Sequence, residues 1–309
     1  MLGNFFSRIL GLMPNVTANG IQIEYDTFGD PSHAPLLLIM GLGAQMISWD
    51  EGFCELLADH GHHVIRFDNR DVGLSTKFEE AGAPDLMEIA MAMAKGEPIA
   101  SAYSLADMAR DAVGLLDVLN IRSAHIVGAS MGGMIAQQFV LDHPHRTFTL
   151  TSIMSTTGHP DLPSPAPEVL ARLMTPAPTD REGNIEYRLN TSRIIGSAPE
   201  LIEEDRLRAA AERAYDRAFY PVGVARQMVA ISAGGSRKDR LAEVRVPTLV
   251  IHGEIDSLVP LAGGIDTHAS IPGAELMVIP GMGHDLPRSL WPRITGAIAA
   301  NAAKAAVAV

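Results

Sequence analysis

Ser130 has the most informative surroundings of any residue in this chain able to do covalent chemistry. It lies in His125-Ile126-Val127-Gly128-Ala129-Ser130-Met131-Gly132-Gly133, a Gly-x-Ser-x-Gly pattern. The bare pattern is weak, because such short strings arise by chance. Its context is stronger: an apolar run precedes it, and a helical stretch containing Ile135 and Ala136 follows. A strand that turns this sharply into a helix forces the serine into a strained backbone conformation. The positions two before and two after must then lack side chains, since the chain packs on itself there. The strain holds the hydroxyl at the carboxyl end of a strand, above a helix start whose dipole favours negative charge.

A serine hydroxyl is a poor nucleophile until a base removes its proton. Of the 11 histidines, His284 lies in Pro280-Gly281-Met282-Gly283-His284, a glycine-rich loop after the strand Glu275 to Ile279 and before the final helix. Such a loop can carry an imidazole over a sheet edge. His252 sits within a strand and His159 opens an insertion, so both rank behind it. The imidazole needs a carboxylate to fix its tautomer and stabilise its cation. Asp256 stands just beyond the strand Val246 to His252, on a loop stiffened by Val259-Pro260. Glu254 and Asp285 compete for the role, but Asp285 is adjacent to His284, an awkward geometry for a side-on hydrogen bond. The chain order Ser130, Asp256, His284 matches that expected when a nucleophile elbow carries the serine. After the run Leu36 to Met40, the turn Gly41-Leu42-Gly43 allows close backbone approach. The amides of Leu42 and Met131 are the expected oxyanion donors, each worth about 3 kcal/mol in such chemistry. Gly41, Trp49 and Met154 are candidate pocket residues, with packing under a lid the alternative for Trp49.

The elements that must position these groups read as an α/β alternation. Apolar runs at Ile21 to Phe28, Leu36 to Met40, His63 to Phe67, His125 to Val127 and Phe148 to Met154 suit strands, several of them buried on both faces. Helical stretches separate them at Asp50 to His60, Ser104 to Leu119 and Met131 to Asp142. Ser104 and Asp107 form a capping-box-like start to the second of these. The rhythm breaks after Met154. Residues 156–236 are first rich in proline and charge, then helical at Pro199 to Phe219 and Pro221 to Ala233, and strands resume at Val246. This predicts a core of residues 1–155 and 237–309 carrying a helical cap of residues 156–236. A second insertion, Phe78 to Tyr103, carries a Met-rich helix over Leu86 to Ala94.

With 309 residues, 47% hydrophobic and 19% charged, the chain suits a soluble globular fold. Its formal charge of −12 argues against nucleic acid or an anionic membrane as the main partner and gives no field that would attract an anionic substrate, so a neutral or apolar small molecule is the simpler expectation. Cys54, the single cysteine, reads as a buried inert thiol, and no zinc spacing exists. The apolar start is too short for stable membrane insertion and lacks a cleavage site, so a cytoplasmic location is the default. It reads as an amphipathic helix, Asn4 to Met13, packed on the body or on a second subunit, which makes a homodimer compatible with the sequence. Methionines crowd the motifs (Met40, Met46, Met131, Met134, Met154, Met282), as core filling or as an adaptable pocket.

Taken in this order, the elbow, the acid, the base and the oxyanion turn closely resemble the α/β-hydrolase superfamily over nearly the whole chain. The resemblance is greatest to aclacinomycin methylesterase and related lid-bearing esterases, and enol-lactonase-like members are also similar. Asp68-Asn69-Arg70-Asp71-Val72-Gly73-Leu74-Ser75 resembles the Asp-x-Arg-x-x-Gly-x-Ser loop of many such members, where the Asp and Arg look like a structural ion pair. Met40-Gly41 replaces the His-Gly common at the oxyanion turn. The resemblance implies a mostly parallel sheet of about eight strands flanked by helices, with a helical lid inserted after the sixth strand. It implies a serine-dependent hydrolase that opens a carboxylic ester or lactone through an acyl-enzyme on Ser130, without metal or organic cofactor. Carbon–carbon hydrolysis, perhydrolysis or ligand reception with slow turnover are the alternatives. Dehalogenase and epoxide hydrolase branches would need Asp in place of Ser130.

Overall fold

The computed structural model describes residues 14 to 305. The expected N-terminal helix, Asn4 to Met13, lies outside the described residues. Eight strands form one sheet: β1 (Asn15–Ala18), β2 (Ile21–Phe28), β3 (Ala34–Ile39), β4 (His62–Phe67), β5 (Ala124–Ala129), β6 (Thr147–Ile153), β7 (Thr248–Gly253) and β8 (Glu275–Ile279), in the order β1-β2-β4-β3-β5-β6-β7-β8. Only β1 and β2 run antiparallel to their neighbours; every pairing from β4 to β8 is parallel. The parallel strands therefore all end at one edge, where ligand sites of such sheets gather.

Side chains alternate along a strand, so each inner strand feeds two layers. In β3, Leu37 and Ile39 enter the core shared with helices α3 (Leu105–Val118) and α4 (Met131–Asp142), while Leu36 and Leu38 enter the opposite one. There Phe53 and Leu57 of α1 (Glu51–Asp59) meet Ile294 and Ile298 of α11 (Trp291–Ala302). The capping box at Ser104 forms: its hydroxyl accepts from the Asp107 N–H, and the Asp107 carboxylate accepts from the Ser104 N–H.

Helix α2 (Leu86–Lys95) lies between β4 and β5. The remaining helices are α5 (Pro167–Met174), α6 (Arg181–Ile195), α7 (Glu204–Arg217), α8 (Pro221–Ala233) and α9 (Lys238–Leu241), all between β6 and β7, and α10 (Leu261–Ser270) between β7 and β8. The insertion between β6 and β7 is docked by buried ion pairs. Asp68 meets Arg217 of α7 at 2.7 Å, and Asp71 holds Arg226 of α8 through two hydrogen bonds of 2.8 Å. Arg70 instead grips Asp111 of α3, at 2.6 and 2.7 Å. The expected Asp68–Arg70 pair is thus corrected. Each charge faces a different element, so the loop ties the sheet to the insertion and to α3 at once. None of the helices among the described residues is long and apolar enough to cross a membrane.

Candidate active site

Ser130 closes β5 and stands at the N-cap of α4 with φ 56° and ψ −121°. A left-handed φ on a non-glycine residue costs about 1–3 kcal/mol, which the surrounding packing must hold in place. The glycines show how. A Cβ on Gly128 would lie 2.0 Å from the carbonyl oxygen of Gly132, and one on Gly132 would lie 2.0 Å from that of Ile39. Only bare backbone fits a turn this tight. Ser130 also forgoes the usual task of an N-cap serine, for its side chain makes no capping bond. Its Oγ instead lies 2.9 Å from Nε2 of His284.

His284 Nδ1 is 2.7 Å from Oδ2 of Asp256. Asp256 is buried, and its Oδ2 is the acceptor for a proton on Nδ1, which leaves Nε2 to accept one from Ser130. The other carboxylate oxygen, Oδ1, accepts from the N–H groups of Leu258 and Val259 at 3.0 and 2.8 Å. The loop after β7 thus fixes the acid from one side while the histidine takes the other. His252, the rival base, is buried beneath this loop and donates Nε2–H to the Val259 carbonyl at 2.8 Å. Burial pushes its pKa down, more than its bond to Val259 and nearby Asp256 raise it. His159 accepts locally from the Asp161 N–H. Glu254 is exposed. Asp285 turns away from His284 to accept from the Ser197 N–H and hydroxyl, and burial raises its pKa.

The turn Gly41-Leu42-Gly43 lies beside Ser130: a Cβ on Gly41 would sit 3.1 Å from Ser130 Cβ. The Met131 N–H belongs to the first turn of α4, where amides lack an intrahelical acceptor. The structure therefore brings Ser130, His284, Asp256, Gly41 and the amides of Leu42 and Met131 to one edge of the sheet.

Two candidates differ from the sequence expectation. Trp49 is fully buried in the layer between sheet and α1, its ring 5.4 Å from Phe53, so its setting is the packed core and not an open pocket wall. Met154 belongs to the same layer and carries a positive φ of 41° at the end of β6. All six clustered methionines are buried. Cys54 is buried too, and burial pushes its thiol up to about 12, which leaves no thiolate for chemistry.

Sequence reasoning missed what grips the two glycine-rich loops. The end of α6 and the residues just after it hold the histidine loop: the His284 N–H donates to the Ile195 carbonyl at 2.7 Å, and the Ala198 N–H to the Gly281 carbonyl at 2.8 Å. A Cβ on Gly283 would collide with Gly196 O at 2.1 Å. On α8, Gln227 bonds the oxyanion turn. Such contacts carry no local sequence signature.

The fold and this constellation define the class. A family model described as alpha/beta hydrolase fold matches residues 34–287, and the chain belongs to that family. It is 30% identical to rhodomycin D methylesterase DauP of Streptomyces sp. (strain C5), over 94% of this chain and 98% of that one. It is 31% identical to a 2-hydroxy-6-oxononadienedioate/2-hydroxy-6-oxononatrienedioate hydrolase of Paraburkholderia phymatum, over 87% of this chain and 88% of the relative. Among solved structures, an N-acyl homoserine lactone degrading enzyme superposes with a TM-score of 0.68 at 29% identity, covering 92% of this chain and 99% of that one.

Proposed function

We propose that this protein is a serine hydrolase that cleaves a carboxylic ester or lactone of a neutral, largely apolar small molecule. The observation that carries the reading is the continuous relay of Ser130 Oγ, His284 and Asp256 at 2.9 and 2.7 Å. In the reaction, His284 takes the Ser130 proton as Oγ attacks the ester carbonyl. The developing oxyanion is held by the Leu42 and Met131 N–H groups. The imidazolium, steadied by Asp256, returns its proton to the leaving alcohol as the tetrahedral adduct collapses to an acyl-enzyme. Water, deprotonated by the same imidazole, attacks the acyl carbonyl, and the imidazolium returns that proton to Ser130 Oγ as the acid is released. The insertion between β6 and β7, residues 156–236, serves as the cap over this site.

The relatives support acyl chemistry, one named for a methyl ester and another for a lactone. The dienedioate hydrolase relative acts on a substrate with two carboxylates, which calls for cations at the site. Here the buried Arg70 and Arg226 and the half-buried Arg217 each face an aspartate, and the chain carries a net charge of −12. A neutral ester suits this balance better. The test is labelling of the full chain with a fluorophosphonate, with the adduct located by peptide mass, alongside turnover of p-nitrophenyl butyrate. A single adduct on Ser130 that abolishes turnover is expected. No adduct, or an adduct elsewhere with turnover lost, refutes the reading.

A further inference from the structure

We propose that Gln227, on the insertion helix α8, is a positioning residue that sets the oxyanion turn. The inference rests on the reading of Leu42 as an oxyanion donor. Gln227 is fully buried and uses both ends of its amide across two loops. Its Oε1 accepts from the Gly43 N–H at 2.8 Å, and its Nε2 donates to the Arg70 carbonyl at 2.8 Å. The Gly43 N–H lies in the peptide plane next to the one that carries the Leu42 N–H, so the far side of the turn is held from the insertion side. Val224, one turn earlier on α8, closes the same spot: a Cβ on Gly43 would come 2.9 Å from it, and Gly43 has a φ of +64° that a side chain would strain. From the core side, Asn69 donates to the Met40 carbonyl at 2.9 Å. The turn is therefore clamped between the β4 loop and α8.

This clamp has a consequence for the cap. Helix α8 holds Gly43 through Gln227, Asp71 through Arg226 and the Arg70 carbonyl again through Gln227. It is tied to the turn and to the loop after β4 at once.

The decisive experiment compares Gln227→Met and Gln227→Glu with wild type, using p-nitrophenyl butyrate turnover per fluorophosphonate-titrated site, so that unfolded protein drops out. Gln227→Met removes the acceptor at nearly constant volume. A loss of about 10- to 100-fold in kcat is expected, smaller than that for deleting a donor outright, since the Leu42 N–H remains but is misaimed. Affinity for a trifluoromethyl ketone, which mimics the tetrahedral adduct, should fall by a similar factor. Gln227→Glu keeps an acceptor for Gly43 and, as the neutral acid, a donor for the Arg70 carbonyl, so its kcat should exceed that of Gln227→Met. A kcat per site within threefold of wild type in Gln227→Met overturns the proposal, as does a kcat loss without loss of inhibitor affinity. If Gln227→Met yields no folded protein, Gln227→Asn, whose shorter side chain draws the amide back from Gly43, decides alone, and a kcat per site within threefold of wild type overturns the proposal. Absence of any Ser130 adduct in wild type would instead remove the reading on which the proposal stands.

Discussion

Replacing Asp256 with Asn tests the relay at its most constrained point. The two carboxylate oxygens have different surroundings: Oδ1 accepts from two backbone N–H groups at 3.0 and 2.8 Å, and Oδ2 faces His284 Nδ1 at 2.7 Å. An asparagine must present its carbonyl to the two N–H donors, because an NH₂ group there would leave both unsatisfied. Its NH₂ then points at His284 Nδ1 and donates to it. That bond selects the imidazole tautomer with the proton on Nε2, the atom 2.9 Å from Ser130 Oγ. His284 would then oppose Ser130 with a proton instead of a lone pair and could not act as base. In a comparable triad this tautomer reversal lowers kcat by about 10,000-fold, or about 5.5 kcal/mol at 1.36 kcal/mol per decade. Stability should change little, since the bonds to Leu258 and Val259 survive. The assay is p-nitrophenyl butyrate hydrolysis at pH 7 to 9, with thermal melts run in parallel. A kcat drop of less than tenfold in folded protein would refute the argument.

Three further outcomes follow from the same geometry. Gly132→Ala places a methyl carbon 2.0 Å from the Ile39 carbonyl oxygen, so backbone must shift; a fall in Tm of more than 10 °C, or loss of soluble protein, is expected by thermal denaturation. Arg226→Met leaves Asp71 buried without its cation. Burial alone would raise the pKa of Asp71, and bonds from Arg226, Phe78 and Tyr103 outweigh it to hold it below the usual carboxylate range. Breaking such a pair costs about 3–5 kcal/mol, and a urea midpoint unchanged from wild type would disprove the docking role. Burial beside His62 pushes the His125 pKa from 6.5 down to about 4. The unfolded chain therefore takes up this proton first, and stability contributed above pH 6.5 is lost as pH falls from about 6.5 to 4. At about 1.4 kcal/mol per pKa unit the loss is roughly 3 kcal/mol. Urea unfolding at pH 7.5 and 4.5 measures it, and His125→Gln should flatten the slope relative to wild type.

Several features were legible from residues alone because local chemistry dictates them. Gly128 and Gly132 mark the elbow since no side chain fits a strand-to-helix turn so tight, and α4 runs from Met131 to Asp142 as its pattern predicts. The apolar runs gave the parallel strands, because burial on both faces leaves no polar alternation to confuse them. Helix α10 was not legible: Leu-Ala-Gly-Gly-Ile-Asp-Thr-His-Ala-Ser has poor helix propensity, and Gly264 is there because a Cβ would meet His252 Nδ1 at 2.4 Å. Tertiary packing overrode propensity. Partner choice among charges was equally hidden. Asp68, Arg70 and Asp71 sit within four positions of one another, yet they reach α7, α3 and α8, because a loop residue's partner depends on which element folds against it. The contest among Asp256, Glu254 and Asp285 for His284 closed in space, where one carboxylate is buried at 2.7 Å, one is exposed and one bonds Ser197. The sequence determined which groups could react and in what chain order; only the tertiary structure decided what holds them, since hydrogen bonds across 154 positions, such as that of His284 to Ser130, leave no trace in local residue patterns.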